Sequence, residues 1–68
     1  MTEFKIKDEF IKLGQLLKAA GFVDSGVEAK IEITEGRVRV NGEVCTMRGK
    51  KMYPGDIASF EGKEIKVI

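Results

Sequence analysis

The chain has 68 residues, with 12 lysines and arginines, 11 acidic residues, one cysteine and no histidine. That length accommodates one domain, in which folding buries only about 60% of the surface of the unfolded chain, while the composition excludes an internal disulfide and a zinc site. The net charge of +1 conceals an asymmetry, since residues 1–36 carry five lysines and seven acids (−2) and residues 37–68 carry seven basic residues and four acids (+3).

The N-terminal third predicts a strand followed by an amphipathic helix. Phe4 and Ile6 alternate with charged residues, which is typical of a half-buried strand. A helix is indicated by apolar residues at three-and-four spacing, before a glycine that can end it: Phe10, Leu13, Leu16, Leu17 and Ala20, then Gly21. This helix begins either at an Asp8 cap or, after a longer extended segment, at Leu13.

A second helix is predicted immediately afterwards. Ser25 followed three residues later by Glu28 is a capping box, in which each side chain accepts a hydrogen bond from a backbone amide of the first turn. Ala29 and Ile33 supply an apolar stripe. Only residues 22–24 separate the two helices, so they are expected to pack as a tight helical hairpin.

Arginine and valine alternate through residues 37–40, and Asn41-Gly42 then predicts a hairpin turn. Two registers are possible. A two-residue turn would pair Val38 with Cys45 and place Val44 on the arginine face. A three-residue loop with a glycine bulge would pair Val38 with Val44, and we favour it because both apolar residues then share one side of the sheet.

The C-terminal third predicts one more turn and one more hairpin. Tyr53–Asp56 carries proline and glycine in the order of a β-turn, and residues 57–60 and 64–68 read as strands around Gly62. The order of strand, helix, helix and then three or four short strands indicates an α+β fold.

Catalysis is not indicated. The chain has no histidine to act as a base near neutral pH, no nucleophile motif and no glycine-rich phosphate loop. The acids of the second helix, Asp24, Glu28, Glu32 and Glu35, fit a solvated face better than a metal site. We therefore expect no enzyme activity, no cofactor, no metal and no small-molecule substrate.

Two local features favour binding of a polyanion. Residues 37–51 hold five basic residues against one acid, Glu43, although a solvated strand face would have a similar composition. Ser25 and Gly26 begin a helix, where free backbone amides and a partial positive charge attract phosphate. Ser25 could equally serve as a helix cap and nothing more.

Short segments spread over residues 10–60 form a pattern that is specific in combination: Leu13–Lys18, Ser25-Gly26, Ala29-Lys30, Glu35–Glu43, Arg48–Lys51 and Pro54–Asp56. The pattern resembles the RNA-binding domain of ribosomal small-subunit protein four, especially its small stand-alone bacterial members. The resemblance implies a single domain over residues 1–68, in which a helical hairpin packs on a small, mostly antiparallel sheet. The two form an L-shaped motif, and the outer face of that motif binds structured RNA.

Carried over residue by residue, the resemblance implies RNA contacts by Lys12, Gln15, Ser25, Gly26, Lys30, Arg37, Arg39, Asn41, Arg48, Lys50 and Lys51. Most of the superfamily has a basic residue where this chain has Gly26, which leaves backbone amides to bind at that point. Asn41 is also required by the turn that it forms.

Structured RNA, and ribosomal RNA by analogy, is therefore the expected partner, held through phosphates rather than read base by base. Stacking on single strands is disfavoured if the four phenylalanines, Phe4, Phe10, Phe22 and Phe60, lie in the core, because Tyr53 is then the one exposed aromatic platform.

The alternative function is a protein-interaction module that docks on a ribosome-associated factor. It would use exposed apolar residues, for which the candidates are Val27, Ile31, Met47 and Met52. The chain contains no apolar run of the roughly 20 residues that a membrane helix needs and no signal-peptide pattern. A cytoplasmic monomer is expected.

Overall fold

The computed structural model describes residues 2–68. In it, the segments with helical spacing and with alternating spacing fold into two helices and seven short strands. The elements in chain order are β1 Thr2–Phe4, β2 Ile11–Lys12, α1 Leu13–Ala19, α2 Gly26–Thr34, β3 Val38–Val40, β4 Glu43–Val44, β5 Lys51–Met52, β6 Ile57–Phe60 and β7 Lys63–Val67.

Five of the strands form one sheet in the order β1-β7-β6-β3-β4. Its pairs are antiparallel except for β1 with β7, which run parallel with Thr2 opposite Ile65. The remaining strands, β2 and β5, form a separate antiparallel ribbon. The predicted α+β fold with a mostly antiparallel sheet is confirmed.

The core lies between the helical hairpin and one face of the larger sheet. Side chains alternate between the two faces of a strand, so β3, β6 and β7 each contribute every second residue to the core. The buried apolar residues are Leu13, Leu16, Leu17, Val23, Ala29, Ile33, Val38, Val40, Met52, Ala58, Phe60, Ile65 and Val67. Fully burying each large aliphatic side chain contributes about 1.5–3 kcal/mol to folding, which fixes both helices against the sheet.

Of the two possible starts for the first helix, the structure has the later one, at Leu13. The preceding residues stay extended because they pair with another strand, with Lys12 opposite Lys51. The Leu13 amide then donates to the Lys50 carbonyl at 2.8 Å. Long-range pairing therefore sets this helix boundary.

The second helix is capped by Ser25, whose hydroxyl accepts a hydrogen bond from the Glu28 amide at 3.1 Å. The Glu28 carboxylate accepts from the amide of Asp24 at 2.6 Å rather than from that of Ser25. The predicted cap is confirmed, with the reciprocal bond displaced by one residue. Both helices in residues 2–68 are too short and too polar to span a lipid bilayer.

The bulged register that we favoured for the β3–β4 hairpin is wrong. Asn41 and Gly42 form a two-residue turn, both with positive φ (52° and 88°), and Arg39 lies opposite Val44. Val44 therefore shares the arginine face and is 50% exposed. Turns of this kind have a twist that matches the twist of the strands they connect.

The side chain of Asn41 explains why the tighter turn forms despite the exposed valine. Its carbonyl oxygen accepts from the Ile57 amide at 2.9 Å, and its amide nitrogen donates to an Asp56 carboxylate oxygen at 3.1 Å. These bonds to the neighbouring strand need Asn41 at its observed position, which a third loop residue would displace.

The other predicted turns are confirmed. The Asp56 amide donates to the Tyr53 carbonyl at 2.9 Å, closing the Tyr53–Asp56 turn. The last hairpin places Phe60 opposite Lys63 across a turn that contains Gly62.

Candidate functional site

The starts of both helices and the loop before β5 surround an open cleft of about 350 Å³. We call it the cation cleft, and its lining residues are Lys12, Gly14, Gln15, Lys18, Gly26, Arg48 and Gly49. Three separate segments of the chain thus contribute to one concave surface.

Backbone hydrogen bonds hold the loop against the first helix. The Gly14 amide donates to the Arg48 carbonyl at 3.0 Å, as the Leu13 amide does to the Lys50 carbonyl. Amides in the first turn of a helix lack partners within the helix, and here the loop supplies two of them. A β-carbon on Gly14 would lie 3.6 Å from that Arg48 oxygen, so the loop rests directly on the helix and the backbone at Arg48 is fixed.

The cation cleft contains positive charge without acidic compensation. Within residues 2–68 the only ion pair joins Arg37 to Glu32, so Lys12, Lys18 and Arg48 have no carboxylate within ion-pair distance. None of the residues that line the cleft is acidic. A concave surface lined by one sign of charge concentrates ions of the opposite sign, and this surface therefore suits an anion.

The start of α2 forms another wall of the cleft. Ser25 accepts the bond from the Glu28 amide, which leaves the amides of Gly26 and Val27 without intrahelical partners. A β-carbon on Gly26 would meet no atom within 4 Å, so the backbone here is open to a ligand. Free amides and the helix dipole together favour a bound phosphate.

The residues expected to contact RNA do not all lie together. Four of the eleven line the cation cleft: Lys12, Gln15, Gly26 and Arg48. Ser25 adjoins it as the helix cap, and Lys30 is exposed one turn further along α2. Lys50 lines a different depression, beside Met47 and the β3–β4 hairpin.

The hairpin arginines have partners within the protein. The Arg37 guanidinium donates to the Glu32 carboxylate, and this bond and the charge of Glu32 raise the pKa of Arg37, with smaller contributions from Glu35 and Glu61. Arg39 donates to the Gly42 carbonyl at 3.2 Å. The expected basic face of the hairpin is thus partly neutralised by acids.

Asn41 is occupied by its structural role. The oxygen and the nitrogen of its side-chain amide both bond to residues of the neighbouring turn and strand. The role of Asn41 in the turn, which the sequence already predicts, therefore explains both of its side-chain hydrogen bonds.

Sequence reasoning omitted three cleft residues: Gly14, Lys18 and Gly49. The signal for Lys18 was available, because it follows Gln15 by three residues and residues at that spacing share a helix face. The glycines carry no side chain that a charge pattern could detect.

Two expectations about apolar residues are wrong. Met52 is fully buried rather than exposed. Phe10 is half-buried and packs on Tyr53 instead of joining the core of the described residues. Its position, one residue before β2, lies at the edge of the ribbon. Val27 and Ile31 are exposed as expected, at 70% and 51%.

The sequence model of the family described as S4 domain matches residues 4–68. YbcJ of Escherichia coli K12 is 40% identical over 69 residues, which is 100% of this chain and 99% of YbcJ. The solution structure of YbcJ, described as having an αL motif involved in RNA binding, has a TM-score of 0.76 at 39% identity and covers 100% of this chain and 87% of that one. The protein named "Probable ribosome maturation protein RlbA" from Bacillus subtilis 168 is 46% identical over 57 residues, or 84% of this chain and 80% of RlbA.

Proposed function

Because the chain belongs to the S4 domain family, we propose that it binds structured RNA, and ribosomal RNA in particular, through phosphate contacts in the cation cleft. The observation that carries this proposal is the absence of acids from the cleft lining, beside Lys12, Lys18 and Arg48. Lysine and arginine that neutralise phosphates supply most of the affinity for a nucleic acid, without reading its sequence.

The shape of the cleft favours folded RNA. Its walls come from three segments whose relative positions are fixed by backbone hydrogen bonds and by the core. A rigid concave surface best fits phosphates whose spacing is also fixed, as it is in an RNA helix, and proteins recognise paired RNA mostly by shape. The αL motif of YbcJ, involved in RNA binding, and the name of RlbA, which refers to ribosome maturation, support RNA and the ribosome respectively.

The expected contacts fall into three groups. Lys12, Gln15, Gly26 and Arg48 are the inner contacts, joined by Lys18. Ser25, Lys30, Lys50 and Lys51 are marginal contacts that meet neighbouring phosphates. Arg37, Arg39 and Asn41 contribute least, because their side chains are already bonded within the protein. The protein acts in this proposal as a cytoplasmic monomer that binds and does not catalyse.

The second candidate function is docking on a ribosome-associated protein through the outer face of α2. Its support is the exposure of Val27 and Ile31, four residues apart on that helix. These two valine and isoleucine side chains cover little area, and apolar residues at a protein surface are common. RNA binding has the better support, because a concave site of matching charge exists for it.

Crosslinking of the tagged protein in living cells, followed by sequencing of the bound RNA, tests the proposal. We expect reads from ribosomal RNA that fall in or beside base-paired segments. Reads spread over unpaired messenger RNA would contradict the preference for structured RNA. Recovery of RNA no greater than from an untagged strain would contradict RNA binding itself.

A further inference from the structure

The β2–β5 ribbon presents two lysines and two aromatic rings on one face. Ile11 lies opposite Met52, which is fully buried, so that pair marks the inner face. Lys12 lies opposite Lys51, and alternation of side chains places this pair on the outer face. Phe10 directly precedes Ile11 and Tyr53 directly follows Met52. Because side chains alternate, Phe10 and Tyr53 lie on the same outer face as the two lysines.

The aromatic rings contact each other there. Their centroids are 5.9 Å apart with the ring planes tilted by 51°, and the Lys51 ammonium lies 4.9 Å from the centre of the Phe10 ring. Tyr53 is 42% exposed. We call this surface, made of Phe10, Lys12, Lys51 and Tyr53, the lysine–aromatic ribbon.

The opposed lysine pair is unfavourable for the free protein, although the Phe10 ring attracts the Lys51 ammonium. Like charges directly opposite each other in an antiparallel pair destabilise it, and an exposed aromatic pair gains less than a buried one. A ligand that carries negative charge next to a flat apolar ring would offset the lysine repulsion and cover the exposed aromatic ring. An unpaired nucleotide has these two parts, a phosphate and a base.

We infer that the lysine–aromatic ribbon binds an unpaired nucleotide of the RNA, with the base stacked on Tyr53 and the adjacent phosphate between Lys12 and Lys51. Residues two apart on a strand are separated by about 6.6 Å, a distance that one nucleotide can cover from base to phosphate. Stacking on exposed aromatic side chains is how proteins hold unpaired bases. This inference rests on the proposed function and makes it more specific.

The ribbon is continuous with the cation cleft, since Lys12 belongs to both. An RNA helix bound in the cation cleft would therefore contact the lysine–aromatic ribbon at the side of the cleft where Lys12 lies. The substrate class that this geometry selects is a paired RNA interrupted by a bulge or ending at a loop, rather than a continuous helix or an unstructured strand.

Two hairpin RNAs with the same stem, one fully paired and one with a single-nucleotide bulge, test the inference. We expect the wild-type protein to bind both and to prefer the bulged RNA by about tenfold, because one base stacked on an aromatic ring is worth about 1–3 kcal/mol. Tyr53→Leu is expected to abolish the preference, whereas Tyr53→Phe keeps it. Because the chain has one tyrosine and no tryptophan, quenching of its fluorescence by the bulged RNA alone reports stacking directly.

Phe22→Leu is the matched control, because Lys63 lies 5.2 Å from the Phe22 ring in a similar cluster that shares no residue with the cation cleft. It is expected to retain the tenfold preference at temperatures where the variant is folded. Equal binding of both RNAs by the wild type, or a preference that survives Tyr53→Leu, would overturn this inference alone. Failure of both RNAs to bind the wild type would overturn the proposed function and this inference with it.

Discussion

Replacing Gly26 with aspartate is expected to weaken RNA binding by at least tenfold while leaving the fold as stable as before or slightly more stable. Gly26 is the first residue of α2 and lines the cation cleft. A carboxylate there would repel phosphate and occupy the space in front of the free amides. The same carboxylate favours the helix dipole by about 0.3–1 kcal/mol, and a side chain at this position meets no protein atom within 4 Å.

Two further substitutions at Gly26 separate charge from size. Asparagine has nearly the shape of aspartate without the charge, so Gly26→Asn is expected to weaken binding by less than aspartate does. Gly26→Arg is expected to strengthen binding, because it adds a cation where most of the superfamily has one. Titration of one hairpin RNA with each variant, together with thermal unfolding, gives both quantities. If Gly26→Asp bound RNA as tightly as the wild type, the start of α2 would not be part of the binding site.

Neutralising two cleft cations is expected to have the largest effect of all. Lys12→Gln combined with Arg48→Gln removes two charge-assisted hydrogen bonds to phosphate, each worth about 1.5–3 kcal/mol. The expected loss of affinity is therefore about 100-fold or more. The slope of log K against log salt should also become shallower by about 0.7–0.9 for each phosphate contact that is lost.

The matched control neutralises the two hairpin arginines, Arg37→Gln with Arg39→Gln, and changes the net charge by the same amount. Since Arg37 is bonded to Glu32 and Arg39 to a backbone carbonyl, we expect affinity to fall less than threefold. If both double variants lost affinity equally, binding would follow total charge and the cation cleft would have no special role. A larger loss of affinity in the arginine double variant than in the Lys12 and Arg48 double variant would indicate that RNA binds at the hairpin.

Patterns within a single element predicted the fold well. The apolar spacing of Leu13, Leu16 and Leu17 and the cap at Ser25 depend on residues that are close in the chain. Both helices and the last hairpin follow from such local signals. The family resemblance of these segments is confirmed by the match over residues 4–68.

The features that the sequence did not reveal depend on contacts between distant segments. The β2–β5 ribbon joins residues about 40 positions apart, and two-residue strands are too short to show alternation. The hairpin register is set by Asn41 bonding to Ile57 and Asp56, which a rule based on apolar alternation alone cannot include. The sequence predicts Phe10 in the core because it does not show the distant residues, Lys51 and Tyr53, that the ring contacts in the ribbon.

The composition of the candidate site was predictable only in part. The family resemblance supplied Lys12. The charge pattern located Arg48, but it also selected Arg37, whose partner Glu32 becomes adjacent only when the helix ends and the chain turns back. Whether a cation is available to a ligand depends on which acids the fold brings near it. Glycines such as Gly14 and Gly49 enter the cleft through the path of the backbone, which no charge pattern records.

The claim that the cation cleft is the RNA site is tested most directly by an NMR titration of the 15N-labelled protein with a bulged hairpin RNA. Amide resonances are recorded for the whole chain, so the binding surface is mapped without any substitution. We expect the largest shifts at Gly14, Gly26 and Gly49, smaller ones along the lysine–aromatic ribbon, and little change at Arg37. Shifts concentrated at Arg39 and Val44 on the outer face of the sheet, with Gly26 and Gly49 unmoved, would contradict the account.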